Sequence, residues 1–557
     1  MNGLVMLLIS AAILLAAYLV YGRYLAKKWG IDPAKKTPAL EFEDGIDYVP
    51  TKPSVVFGHE FASIAGAGPI NGPIQAAMFG WLPVLLWILI GGVFIGAVQD
   101  FAALYASVKT KGKTIGVIIE NYIGKTGKRL FLAFVWLFSI LVVAAFADIV
   151  SGTFMGFNPE GVKINANASV ATTSILFIAA AVALGFFIRR TSPSGPVSGA
   201  LAVMLLVVCV VAGLYFPVFV PKTVWLYIVF AYVFVASVTP VWALLQPRDY
   251  LNAFLLVAMI SSAFIGVLFT APVINIPAFV GFKVGSNSLF PILFVTVACG
   301  AVSGFHSLVA SGTASKQISS EKHILPISFG AMLVECLLAV LALITVGAIT
   351  ISGKLPEGIV TPPQVFASAV AGFLTKLGLP ENVVFTLITL SVSAFALTSL
   401  DSVARVGRLA FQELFTDSIN EGKKPSPLIA ALTNKYIATI ATLVFGYLLA
   451  ILGYQNIWPL FGSANQLLAA IALISCAVFL KRTKRKGSML YIPMFFMLAV
   501  TFTALFLIIT TMCGRISSGT FETSKHLLQF VFAILLLALG IIVAVQGIQK
   551  LTEKKAA

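Results

Sequence analysis

Asp401 sits in the segment Ala396-Leu397-Thr398-Ser399-Leu400-Asp401-Ser402. Two adjacent hydroxyls and a carboxylate there lie within one turn of a helix. Such oxygens can hold a hard cation such as sodium, or the carboxylate can carry a proton. Arg405, four residues on, falls on the same helix face and could simply pair with Asp401. The hydroxyls of Thr398 and Ser399 could bond back to the preceding turn. His306 is either a hydrogen-bonded packing residue or a proton carrier near neutral pH. Glu335 and Asp148 each read as a proton relay or as the partner of a donor elsewhere. Asp100, near a helix end, reads as structural, and Glu60 and His59 complete the set. All of these lie in or beside long apolar runs. A charge at the centre of a bilayer costs about 2.5–3.5 kcal/mol on insertion scales, so each is a functional candidate.

Two stretches near these groups cannot be ordinary helix. One reads Gly66-Ala67-Gly68-Pro69-Ile70-Asn71-Gly72-Pro73, the other Cys299-Gly300-Ala301-Val302-Ser303-Gly304-Phe305-His306-Ser307. Gly and Pro at this density interrupt the helical hydrogen-bond ladder. Unwound backbone at membrane depth survives only against protein or a water-filled cavity, and paired interruptions point to a binding site between them. Ser63, Gly66, Ala67, Gly68, Pro69, Ser303, Gly304, His306 and Ser307 are therefore the candidate solute-binding residues. Thr398, Ser399, Asp401, His306 and Glu335 are the candidates for an ion, sodium at Thr398 and Ser399 or a proton. Half-helix N-termini at the breaks would favour an anionic group on the solute.

The elements that must position these residues follow from composition. Of 557 residues, 59% are hydrophobic and only 10% charged, where a soluble chain carries roughly 25% charge. The apolar runs predict an all-α polytopic membrane protein of about fifteen spans. The first, Gly3–Ala26, has no basic residue before it and is too long for a signal peptide, so it reads as a retained span with its N-terminus outside. Val365–Leu377 is too weak to span and reads as an external interfacial helix. On this count all but seven of the 37 Lys and Arg fall inside. The exceptions are Lys163, Lys222, Lys283, Lys354, Lys376, Arg515 and Lys525. That asymmetry places the C-terminus in the cytoplasm and explains the net charge of +16 without nucleic acid.

The two broken spans then run in opposite directions, which predicts two inverted five-helix repeats. The divisions are 1–54 (first span and inner loop), 55–220 (first repeat), 221–288 (an inserted pair), 289–482 (second repeat) and 483–557 (two final helices). Cys209, Cys299, Cys336, Cys476 and Cys513 show no metal-ligand spacing and read as small buried hydrophobes. No cofactor is expected.

Several lookalikes fail. His59-Glu60-Phe61-Ala62-Ser63 lacks the second histidine of a zinc protease, and Gly66-Ala67-Gly68 has no preceding strand. Ser303 and His306 lack the third member of a hydrolase triad. A sensor would carry a soluble output domain, and a passive channel would never concentrate its solute.

Four segments carry a family resemblance: His59–Ile70, Pro240–Leu251, Gly304–Thr313 and Thr398–Ser402. They resemble the carbon starvation protein A family. Where members commonly have histidine, this chain has Glu60 and Gln99. The resemblance implies a secondary active importer of peptides and/or pyruvate in the bacterial cytoplasmic membrane, induced when carbon is scarce and usually described as proton-coupled. The alternatives are sodium-coupled symport of another small organic acid, or a membrane sensor without turnover. The family's helices look similar to the LeuT-like inverted-repeat architecture. In its sodium symporters a hydroxyl pair on the eighth core helix helps bind sodium, and Thr398 and Ser399 take that place.

Overall fold

The computed structural model describes residues 1–553 except 46–47, 159, 192–193, 241–243, 352–353, 357–358, 360 and 417–425. Part of the Pro240–Leu251 motif, and the inner-side lysines Lys423, Lys424, Lys554 and Lys555, lie outside the described residues.

Away from water, an apolar segment must satisfy its backbone internally, which makes it a helix. Among the described residues, eleven helices are long and apolar enough to cross a membrane. They are α1 (Gly3–Trp29), α4 (Trp81–Lys109), α5 (Lys125–Phe154), α6 (Asn165–Thr191), α7 (Gly195–Tyr215), α9 (Leu245–Thr270), α12 (Glu321–Ile349), α14 (Glu381–Thr416), α16 (Tyr454–Arg482), α17 (Ser488–Ser517) and α18 (Thr523–Thr552). Two shorter apolar helices, α8 (Lys222–Val238) and α15 (Lys435–Ala450), stand among them. Side chains such as Val20, Val257 and Ile492 are exposed on the outside of the bundle. That apolar coat is what a lipid-facing surface requires.

The two Gly- and Pro-rich stretches are broken, as expected. The first forms α2 (Pro53–Ile64) and α3 (Gly68–Ala76), and the second forms α10 (Leu289–Thr296) and α11 (Gly304–Gly312). The breaks touch. A Cβ on Gly72 would stand 2.7 Å from the Thr296 carbonyl oxygen, and one on Gly68 2.6 Å from Cys299 Sγ. Glycine at these positions is what lets the two chains approach. α3 packs on α12 and α11 on α4, while α5 packs on α14 and α16.

The ends of the bundle sort the chain. At one end the Gly3 N–H donates to Pro272, Ile274 to Met1 and Asn275 to Gly347. At the other, Trp29 Nε1 donates to Lys486, Tyr105 to the Trp29 carbonyl, and Lys109 pairs with Glu321.

One expectation needs correction. The segment read as an external interfacial helix is α13 (Pro362–Thr375), and 11 of its 14 residues are buried against α14, α12 and α9. An interfacial helix needs one polar face. Apart from Gln364, whose side chain accepts the Thr361 N–H at the helix start, Pro362-Pro363-Gln364-Val365-Phe366-Ala367-Ser368-Ala369-Val370-Ala371-Gly372-Phe373 is small or apolar all round, so it wedges into the bundle.

Candidate functional site

A cavity with about 310 Å³ of atom-free space opens where the breaks meet. Gly66 and Gly68 border it from the first break, Cys299 and Phe305 from the second, with Ser399 of α14 and Asn465 of α16. The N-termini of α3 and α11 both reach it, so their first-turn N–H groups lie nearby. Phe138, Phe146 and Phe461 supply apolar walls.

The second break is held by side chains from helices far from it in the chain, which no local pattern connects with it. Gln466 Nε2 donates to the Phe294 carbonyl at 2.9 Å, Trp458 Nε1 to Thr296 at 3.2 Å and Trp87 Nε1 to Val297 at 3.1 Å. Gln99 Nε2 donates to Ser303 at 2.6 Å. Asn465 accepts the Phe305 N–H at 3.1 Å and donates to the Ser303 hydroxyl at 3.1 Å. Each is a backbone or hydroxyl group that an unwound segment would otherwise bury unpaired.

Gly304 lies hard against α16, where a Cβ would run into Ala469 N, Leu468 Cβ and the Asn465 carbonyl. Backbone atoms cannot step aside cheaply, so Gly304→Ala should destabilise the protein by about 1–3 kcal/mol. Gly312→Ala, at the other end of the same helix, meets nothing within 4 Å and should not. Thermal unfolding of the two purified variants checks this.

Just past the break, in the first turn of α11 and not in the unwound stretch itself, His306 joins two carboxyl groups. Its Nδ1 is 2.9 Å from Asp100 Oδ2 on α4, and its Nε2 is 3.3 Å from Glu335 Oε2 on α12. Only the Asp100 contact is a hydrogen bond; Nε2 and Glu335 are within ion-pair distance without one. A doubly protonated ring faces both carboxylates as an imidazolium, and a neutral ring accepts only from a carboxyl that carries its own proton. Glu60 of α2 lies buried within electrostatic reach of His306 and Asp100. Three carboxyl groups thus surround one imidazole, and no Lys or Arg pairs with them among the described residues. Buried charge without a counter-charge is costly, so the cluster is neutral only when it holds three protons. Asp100, read as structural from its place near a helix end, belongs to this group.

Asp401 is placed elsewhere. Its partner is Arg248 of α9, with Tyr232 of α8 donating to Asp401 Oδ2 at 2.9 Å. Arg405 turns away to the carbonyls of Ala236 and Thr239, at 2.8 and 2.7 Å, and Arg408 donates to Ser237 at 2.6 Å. These are the free carbonyls at the C-terminus of α8, where cations are favoured. Thr398 accepts from Asn252 at 2.7 Å and bonds back to Ala394 at 2.9 Å. Ser399 faces the other way, against Gly66. The two hydroxyls therefore point to different helices. Asp148 has the donors its sequence left open: Lys222 at 2.8 Å and the Tyr454 N–H, first in α16, at 2.9 Å.

Of the candidate solute residues, Gly66 and Gly68 border the cavity. Ser63 bonds back to His59, and Ser307 to Gly304. Ser303 and Gly304 pack on α16, while Ala67 and Pro69 are buried beside the break. Cys299 borders the cavity, and Cys513, read as buried, is exposed on the bundle surface.

Similar proteins align over most of this chain. It is 32% identical to the peptide transporter CstA of Escherichia coli, over 90% of this chain and 80% of that one. It is 33% identical to the pyruvate/proton symporter BtsT of the same organism, over 86% and 77%. A solved structure of the Eremococcus coleocola manganese transporter, in complex with an aromatic bis-isothiourea substituted compound, aligns with a TM-score of 0.47 at 13% identity, over 91% of this chain and 99% of that one. The family described as carbon starvation protein CstA matches residues 2–356 and 357–504, so the chain belongs to the carbon starvation protein CstA family.

Proposed function

We propose that this chain is a secondary active transporter importing small carboxylate-bearing solutes, pyruvate or short peptides, across the bacterial cytoplasmic membrane with protons. The observation that carries the ion is the buried His306–Asp100–Glu335–Glu60 cluster, whose His306 directly follows the cavity-lining Phe305. It joins both broken helices to α4 and α12. A proton gained or lost there bears directly on how the breaks pack.

The solute sits in the cavity beside Gly66, Gly68, Ser399 and Asn465, its carboxylate toward the N-termini of α3 and α11. Relatives named as transporters of peptides and of pyruvate support this solute class and favour carriage over hydrolysis at Ser303. The two short helices and the two broken pairs, added to the long helices, give about fifteen crossings. The reciprocal packing of α3 on α12 and α11 on α4 supports two inverted repeats within 55–220 and 289–482, in the LeuT-like manner. Lys109, Lys486 and Trp29 share one end of the bundle, which supports a cytoplasmic C-terminus and an external N-terminus.

Labelled pyruvate and dipeptide uptake into proteoliposomes tests the reading. An inward proton gradient should drive accumulation above the external concentration, and a protonophore should collapse it. Uptake driven by sodium alone would move the ion to Thr398 and Ser399. Uptake that never exceeds the external concentration would make the protein a channel, and no uptake of either solute would make it a sensor.

A further inference from the structure

The segment Tyr48–Thr51 joins the far end of α11 by main chain. The Val49 N–H donates to the Lys316 carbonyl at 3.1 Å and the Thr51 N–H to Gln317 at 3.0 Å. Thr51 and Ile318 pair as a parallel bridge. α2 begins just beyond, at Pro53, and α11 ends just before, at Gly312. The bridge therefore ties the two half-helices that lie on this side of the breaks. Tyr48 fastens it. Its hydroxyl donates to the Lys111 carbonyl at 3.1 Å, and the Lys316 ammonium stands 5.3 Å from its ring centre, a cation–π distance. Gly112, at φ +70°, leaves room for the ring, since a Cβ there would stand 3.0 Å from it. Lys111 and Gly112 follow α4, so one tyrosine touches the segments after α4 and after α11.

The packing singles out α2 as the part that can move. Of its 12 residues 5 are buried, against 8 of 9 in α3. Pro53, Ser54 and Val55 in its first turn are exposed, and its other end runs into the unwound Ala65 and Gly66. α11 is anchored instead. Ser107 of α4 donates to the Ser311 carbonyl at 3.2 Å, and the Ser311 hydroxyl accepts the Ile115 N–H at 3.2 Å.

We infer that Tyr48–Thr51 and Lys316–Ile318 form the gate on this side of the central cavity, with Tyr48 as its latch, and that it opens when α2 swings about Gly66 away from α11. Two main-chain bonds and one tyrosine are few enough to break in each turnover. α2 carries Glu60 and borders the cavity at Ile64, so one swing would uncover the cavity and the His306 cluster together. The inference rests on the transport reading for the need to open at this end.

Cross-linking the bridge tests it. Neighbouring strands stand about 4.8 Å apart, within reach of a disulfide. In a chain with Cys513→Ser, which removes the exposed native thiol, Thr51→Cys combined with Ile318→Cys should lose both gradient-driven uptake and counterflow of pyruvate when oxidised. Both should return on reduction, and the two single variants should ignore the oxidant. Tyr48→Ala should speed modification of Cys299, the thiol at the cavity, by a membrane-impermeant maleimide added on this side, about fivefold or more. A fully oxidised pair that exchanges pyruvate at the unaltered rate overturns the gate and leaves the transport reading standing. A pair that will not oxidise overturns it too, because the bridge then does not hold. If the unaltered chain moves neither pyruvate nor dipeptide, the transport reading falls and the labelling decides alone. Cys299 modified no faster in Tyr48→Ala than in the unaltered chain then overturns the gate.

Discussion

His306→Gln should reduce proton-driven accumulation of solute to the level of empty liposomes while sparing exchange of solute for solute. Glutamine fills much of the imidazole's volume and can hydrogen-bond to Asp100 and Glu335, but it cannot take up or release a proton near neutral pH. Exchange needs only the solute-loaded, protonated carrier to reorient, whereas net uptake needs the proton to leave. A purely structural histidine would fail both assays together. Asp100→Asn and Glu335→Gln should show the same split more weakly, because each leaves the imidazole one carboxyl partner, at 3.3 or 2.9 Å. Counterflow and gradient-driven uptake, measured on the same preparation, separate the two outcomes. If His306→Gln accumulates pyruvate as well as the unaltered chain does, the proton is carried elsewhere.

Much of the fold was legible because membranes make few demands, and make them locally. A run of apolar residues must be a helix, and Gly66 to Pro73 or Gly300 to Gly304 must interrupt one. What could not be read was pairing over long separations. Arg405 lies one turn from Asp401, so it looked like the partner. Arg248, 153 residues away, has it instead, because the end of α8 claims Arg405. Asp100 and His306 are 206 residues apart, and nothing local marked Asp100 as more than a helix-end charge. Trp87, Trp458 and Gln466 looked like ordinary content of apolar spans. Their role in satisfying the unwound carbonyls of α10 depends on which helices cross it. α13 was misjudged for a related reason. Its length fits an interfacial helix, and only its lack of a polar face gives away its burial.

Removing either charge of the Arg248–Asp401 pair should destabilise the fold by about 3–5 kcal/mol, whereas removing both should cost much less. Both side chains are nearly inaccessible, at 1% and 0% exposed. Asp401→Ala therefore leaves a buried guanidinium whose remaining partners are Tyr232 and Asp249. Arg248→Ala leaves a carboxylate with one tyrosine donor. Arg248→Met combined with Asp401→Leu replaces the pair with apolar volume and leaves no orphaned charge, though Tyr232 then loses both partners, a cost of about 1–3 kcal/mol. Thermal unfolding of the purified variants gives the cycle, and the coupling between the two positions should be large and favourable. Single and double losses that simply add would mean that the two groups do not interact, and the clamp that α8 and α9 place on α14 would then have to come from packing alone. A large coupling would instead assign to the inserted helix pair an electrostatic hold on the helix that brings Ser399 to the central cavity.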